Sequence, residues 1–171
     1  MLNVLSRHAS AMQKEKHYED VYDQISGLLT ADSDWVAAMA TIVCELHSAF
    51  ELYNWTGFYR VVRDNHLQIG PYQGGHGCLD IPFAKGVCGA AARTKETQLV
   101  PDVELFEGHI ACSSSTRSEV VVPFVNAQGE VLAVLDVDSD AESAFDEIDK
   151  KWLEKVAVLY VTKYPQRPSV R

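Results

Sequence analysis

Three cysteines, Cys78, Cys88 and Cys112, fall within the stretch Gly70–Ser139, which also carries Glu119, Asp136 and Asp138. Thiols are nucleophiles and redox groups, and carboxyls pair cations or move protons, so this company suits a redox relay at a small-substrate pocket. The cysteines are separated by 10 and then 24 positions. A zinc finger or ribbon needs two close pairs such as C-x2-C, so that one turn offers two ligands to a tetrahedral ion, and no such pair occurs. His76, just before Cys78, and His109, just before Cys112, keep a metal site open as an alternative. Packing of three small core thiols is another. Against that stand the loops and polar stretches that precede each thiol. Cys88 falls near the start of a short helix, where the dipole and free amides lower a thiol pKa. Cys112 is followed by Ser113-Ser114-Ser115-Thr116, which suits anion or carboxylate binding better than core packing. Cys44, far from the others and beside an apolar helical face, is expected to be a small core residue.

Asp136 and Asp138 alternate along a β-branched run and therefore share one strand face. Two like charges on one face must be solvated, paired or aimed at a cation. With Glu119 in the same pocket they could hold an ammonium group, or one could keep a proton through repulsion and act as an acid. Asp102, Glu104 and Glu107 are ambiguous alone. Trp55 and Tyr59, four apart on a strand, also share a face, as core or as the wall of a pocket for a methyl or thioether group.

The elements that must position these residues follow from periodicity. Apolar residues recur at helical spacing from Lys14 to Leu29, and again from about Asp34 to Phe50 with Asp32 or Ser33 as the cap. The second helix is expected to bury Trp35, Met39, Ile42, Val43, Leu46 and Phe50. Trp55–Val62 and His66–Ile69 read as a hairpin ended by Gly70-Pro71. A glycine-rich loop then leads into a strand at Cys78–Phe83 that Pro82 pushes to a sheet edge or strand end. Lys85-Gly86-Val87-Cys88-Gly89 opens a short helix from Ala90 to about Lys95, Gln98–Val100 is a brief strand, and 102–118 is a long irregular segment of the kind that carries function. Glu119–Val125 and Val131–Asp138 form the clearest strand pair, and Asp146 caps a last amphipathic helix, Glu147–Thr162. The fold class predicted is α+β, a single domain with a mostly antiparallel central sheet and the N- and C-terminal helices packed on one face. Residues 1–13 are expected to be a flexible segment, 14–163 the domain, and 164–171 a flexible tail.

At 171 residues, with 47% hydrophobic and 23% charged, the chain has the composition of one globular domain. A formal charge of −9 without a basic stripe argues against nucleic acid. No apolar run is long enough for a membrane helix. The first residues only faintly resemble an organelle-targeting segment, so the expectation is a cytoplasmic protein whose cysteines rest as thiols.

That arrangement of elements is similar to the GAF and PAS small-molecule domains. Asn54-Trp55-Thr56-Gly57-Phe58-Tyr59, Gly70-Pro71-Tyr72-Gln73-Gly74, Gly86-Val87-Cys88-Gly89, Gly108-His109-Ile110-Ala111-Cys112, Ser118-Glu119 and Leu135-Asp136-Val137-Asp138-Ser139 occur in one order. Together they closely resemble the free methionine-(R)-sulfoxide reductases, a GAF-domain enzyme family, from about Asp34 to Leu159. The resemblance implies reduction of free methionine-R-sulfoxide to methionine, with no bound cofactor and thioredoxin as the external reductant. It implies Cys112 as nucleophile and Cys78 or Cys88 as the resolving or relay thiol, their order left open. Glu119, Asp136, Asp138 and, as an outlying member, Asp102 correspond to acids around the substrate, with Glu119 and Asp138 expected to serve catalysis. Trp55 and Tyr59 correspond to an aromatic wall beside the substrate methyl group. The Gly74–Gly77 loop is the expected lid, and the serine run after Cys112 is expected to matter less. A homodimer through the terminal helices is a further expectation. The alternative is a GAF sensor without turnover, which would ordinarily be fused to an output domain for which this chain has no spare length.

Overall fold

The computed structural model describes residues 2–30, 34–108, 110 and 112–166. These form four helices, one short 3-10 helix and six strands. Helix α1 (Ala11–Leu28) opens on a capping box: the Ser10 side chain accepts from the Gln13 backbone N–H, and the Gln13 side chain accepts in return from that of Ser10. It thus starts ahead of the expected Lys14. The residues before it, expected to be loose, are tied to the end of the second helix. The Leu5 N–H donates to the Ala49 carbonyl at 2.7 Å, and Arg7 pairs with Glu51 at 2.7 Å.

Helix α2 (Trp35–Ala49) is capped by Asp34, whose carboxylate accepts from the Ala37 N–H at 2.8 Å; the caps expected from sequence, Asp32 and Ser33, lie outside the described residues. Met39, Ile42, Val43 and Leu46 are buried as the periodicity demands. Cys44 is exposed, correcting the core assignment: one residue past Val43 is a turn of about 100° around the helix, enough to leave the apolar stripe. Trp35 is only partly buried and lies under the Arg60 guanidinium.

The strands β1 (Trp55–Arg63), β2 (His66–Gln73), β3 (Asp80–Pro82), β4 (Gln98–Val100), β5 (Ser118–Val125) and β6 (Val131–Ser139) form one sheet in the order β3-β2-β1-β6-β5-β4, every neighbour antiparallel. Gly70-Pro71 does not end β2. Tyr72 pairs with Gly57 and Ile69 with Tyr59, so both residues bulge opposite Phe58, where a missing N–H is tolerated. β3, with its Pro82, is an edge strand as predicted.

Helices α1, α2 and α4 (Glu147–Lys163) cover one sheet face, where Phe58, Val122, Phe124 and Leu135 join their apolar stripes. Each large side chain so withdrawn from water contributes roughly 1.5–3 kcal/mol. Asp146 caps α4 as predicted, accepting from the N–H groups of Ile148 and Asp149. Buried Asp149 accepts from the Tyr18 hydroxyl at 2.6 Å and pairs with Lys14, joining α4 to α1. Helix α3 (Gly86–Thr94) packs alone on the opposite face, above Tyr59, Val121 and Val134. Alternation along β1, β5 and β6 therefore sends Phe58 and Leu135 to the three-helix side, and Trp55, Tyr59, Glu119 and Asp136 to the other. Among the described residues, no helix is long and apolar enough to cross a membrane.

Candidate active site

The face under α3 holds a cavity of about 40 Å³, as swept by the centre of a water-sized sphere. One water needs ~10–15 Å³ by that measure, so the space would hold a few waters. Trp55 and Tyr59 form one wall, their rings stacked at 5.7 Å. Cross-strand register builds the floor. Trp55, Asp138 and Glu119 lie side by side on β1, β6 and β5, and Asp136 lies in the next row between Gly57 and Val121. Gly57 is needed there, since a Cβ would stand 2.4 Å from the Trp55 ring and 2.5 Å from Tyr72 Cβ.

One oxygen from each of Glu119, Asp136 and Asp138 lies within 4.8 Å of the others. Glu119 and Asp136 are buried, Asp138 partly exposed. Burial raises all three above the ordinary carboxylate range; mutual repulsion adds to this for Glu119 and Asp138, and Asp136 is pushed up to about 7. Oxygen donors at this spacing suit a cation, either a hard metal ion or an ammonium group. Among the described residues this is the one such cluster. The solvent-facing reading of the paired aspartates is thus set aside, while His109 of the thiol–imidazole metal alternative lies outside the described residues.

The thiols divide. Cys78 and Cys112 form a disulfide with their Cα atoms 5.2 Å apart, and Cys112 lines the cavity. Cys88 is free and buried at the third position of α3. Its S–H donates to Asp136 Oδ2 at 3.2 Å, and burial together with the neighbouring carboxylates drives its pKa well up. The lowered pKa expected from a helix start is corrected: desolvation and adjacent negative groups outweigh the helix terminus. Gly89 lets α3 approach closely, because a Cβ there would stand 2.7 Å from the Pro82 carbonyl oxygen.

The loop before Cys78 is fastened to the aromatic wall. Trp55 Nε1–H donates to the Gly75 carbonyl at 3.0 Å, and the Tyr59 hydroxyl takes a hydrogen bond from the Cys78 backbone. Gly77 packs where a Cβ would meet the Tyr59 hydroxyl at 2.8 Å. His76 and Gly77 of this loop, with Ile110, Ser113 and Thr116 of the Cys112 segment, add to the lining. Ser113 and Thr116 bring the polar run after Cys112 to the cavity wall. Their signal was the hydroxyl cluster itself. Asp102 does not line the cavity; its carboxylate accepts from the Glu104 N–H at 3.0 Å and caps the 3-10 helix Val103–Leu105. Behind the segment, Arg117 bridges Glu104 and Glu142 at 2.8 and 3.0 Å.

A family model described as GAF domain matches residues 35–161. GAF domain-containing protein A of Dictyostelium discoideum is 45% identical over 146 residues, covering 85% of this chain and 91% of that protein. The free methionine-R-sulfoxide reductase of Saccharomyces cerevisiae is 40% identical over 158 residues, covering 89% and 88%. The chain belongs to the free methionine-R-sulfoxide reductase family of GAF domains. Its fold superposes with a TM-score of 0.85 on a family structure, the free methionine-R-sulfoxide reductase from Neisseria meningitidis in complex with its substrate, at 41% identity, covering 92% of this chain and 94% of that one. The six-strand antiparallel sheet and four helices are the GAF architecture that the sequence resemblance predicted.

Proposed function

We propose that this protein reduces free L-methionine-(R)-sulfoxide to methionine by thiol chemistry at Cys112. The observation that carries the reading is the Cys78–Cys112 disulfide beside a cavity with an aromatic wall and a carboxylate floor. In the reduced enzyme the Cys112 thiolate attacks the sulfoxide sulfur while a protonated carboxyl of the Glu119/Asp136/Asp138 cluster supplies a proton to the oxygen. The raised pKa values of that cluster support a proton being held there near neutral pH. Methionine leaves, and Cys112 carries the oxygen as a sulfenic acid. Cys78 then displaces that oxygen as water, and thioredoxin reduces the resulting disulfide by exchange. The ionised members of the cluster pair the substrate ammonium, and Trp55 and Tyr59 pack against its methyl end. A peptide-bonded methionine sulfoxide has no such ammonium group, which accounts for restriction to the free amino acid.

The test is methionine release from each sulfoxide epimer with dithiothreitol, then with thioredoxin, for the wild type and for Cys112→Ser, Cys78→Ser and Cys88→Ser. Release from the R epimer alone, lost in Cys112→Ser, is expected. Cys78→Ser should turn over with dithiothreitol and stall with thioredoxin. Binding of the R epimer without methionine formation would return the protein to a ligand-sensing role.

A further inference from the structure

The aromatic stack has a third ring that stands outside the cavity. Tyr72, near the end of β2 and 37% exposed, stacks on Trp55 at 5.5 Å with planes 18° apart, while Tyr59 stacks on the same indole. Tyr72 pairs with Gly57 across β1 and β2, and the glycine leaves the space in which the indole lies down. The tilt of Trp55 is therefore set by a ring on each side and a bare backbone beneath. The same indole fixes the chain before Cys78, since its N–H holds the Gly75 carbonyl. Gly74, two residues after Tyr72, sits at φ +110° against Trp55, where a Cβ would stand 2.8 Å from Cδ1.

We propose that Tyr72 is a positioning residue for the resolving step: it clamps Trp55, and through the Trp55–Gly75 hydrogen bond it holds the Cys78 loop where the Cys78 sulfur meets Cys112. The proposal rests on the reaction proposed above, and it concerns closure rather than attack on the sulfoxide. In closure the Cys78 thiolate attacks the sulfenic sulfur of Cys112. The S–S bond forms, the S–O bond breaks, and the oxygen leaves as water after taking up a proton; Cys78 is oxidised as the sulfenic acid is reduced. A ring lost from outside the cavity removes no group that touches substrate, but frees the loop that delivers the second thiol.

The experiment separates the two steps. Fully reduced protein is mixed with methionine-R-sulfoxide without reductant and quenched over time. Methionine is measured by chromatography, the Cys78–Cys112 disulfide by mass spectrometry, and the sulfenic acid by trapping with dimedone. For Tyr72→Ala, disulfide closure is expected to slow about tenfold. Sulfenic acid should accumulate, methionine formation should change less than about threefold, and Tyr72→Phe should restore closure. Closure at the wild-type rate in folded Tyr72→Ala overturns the proposal, and so does equal slowing of both steps. Should Tyr72→Ala fail to fold, Tyr72→Leu, which keeps apolar bulk without a ring face, is read by the same criteria. Closure is also driven with hydrogen peroxide, which oxidises Cys112 without methionine sulfoxide. If the wild type yields no methionine, the reductase reading fails, while the peroxide-driven rate in the Tyr72 variants still decides the role of Tyr72.

Discussion

Replacing Asp136 by asparagine should stabilise the fold at high pH, because burial favours the neutral form of this carboxyl. Asp136 is buried, and burial pushes it from 3.8 up to about 7 even though hydrogen bonds from Cys88 and Glu119 favour its ionised form. Between those values the folded chain keeps a proton that the unfolded chain has lost, so stability falls as pH rises through the window. At about 1.4 kcal/mol per pH unit, the span of some three units removes roughly 4 kcal/mol by pH 8. The Asp136→Asn side chain has no proton to lose and keeps an oxygen that can accept from Cys88. Its stability advantage over wild type should therefore grow by roughly 3 kcal/mol between pH 5 and pH 8. For a domain of this size, that is about 6–12 °C in Tm. Urea unfolding at several pH values, with the Cys78–Cys112 disulfide intact in both proteins, measures it. The carboxylate should also matter to substrate, so the stabilised variant should be a poor enzyme. An advantage that stays flat or shrinks with rising pH would refute the burial argument.

Other perturbations test other parts of the site. Gly57→Ala places a Cβ inside the contact distance of Trp55 and Tyr72, and should cost about 1–3 kcal/mol by urea unfolding while raising the KM for methionine sulfoxide. Asp102→Ala removes a cap that does not line the cavity; it should cost about 0.5–1 kcal/mol and leave KM unchanged in steady-state assays. Cys44→Ser, at an exposed helical position, should stay within about 0.5 kcal/mol of wild type in stability and match it in turnover.

Local signals carried far in this sequence. The Asp146 cap, the β5–β6 hairpin, the edge strand with Pro82 and the shared face of Asp136 and Asp138 all follow from short-range rules, and the structure shows each. Much of what those rules missed depends on partners distant in sequence. The Cys88 thiol is set by burial and by Asp136, 48 residues away, rather than by its own helix. Gly70-Pro71 reads as a strand end, yet β1 absorbs it as a bulge. Cys44 lies one step beyond an apolar stripe, and periodicity alone blurred that edge. Asp102 entered the site set by resemblance and turns its carboxylate to its own backbone neighbour. Tyr72 stood in a quoted motif without a role, because stacking across β1 and β2 is a property of register.

The central claim is that one substrate molecule oxidises one Cys78/Cys112 pair. Reduced protein mixed with excess methionine-R-sulfoxide and no reductant should release one methionine per chain and lose two thiols, with Cys78 and Cys112 joined in the peptide map and Cys44 and Cys88 still free. No methionine, or methionine formed while Cys78 and Cys112 both remain reduced, would contradict the account.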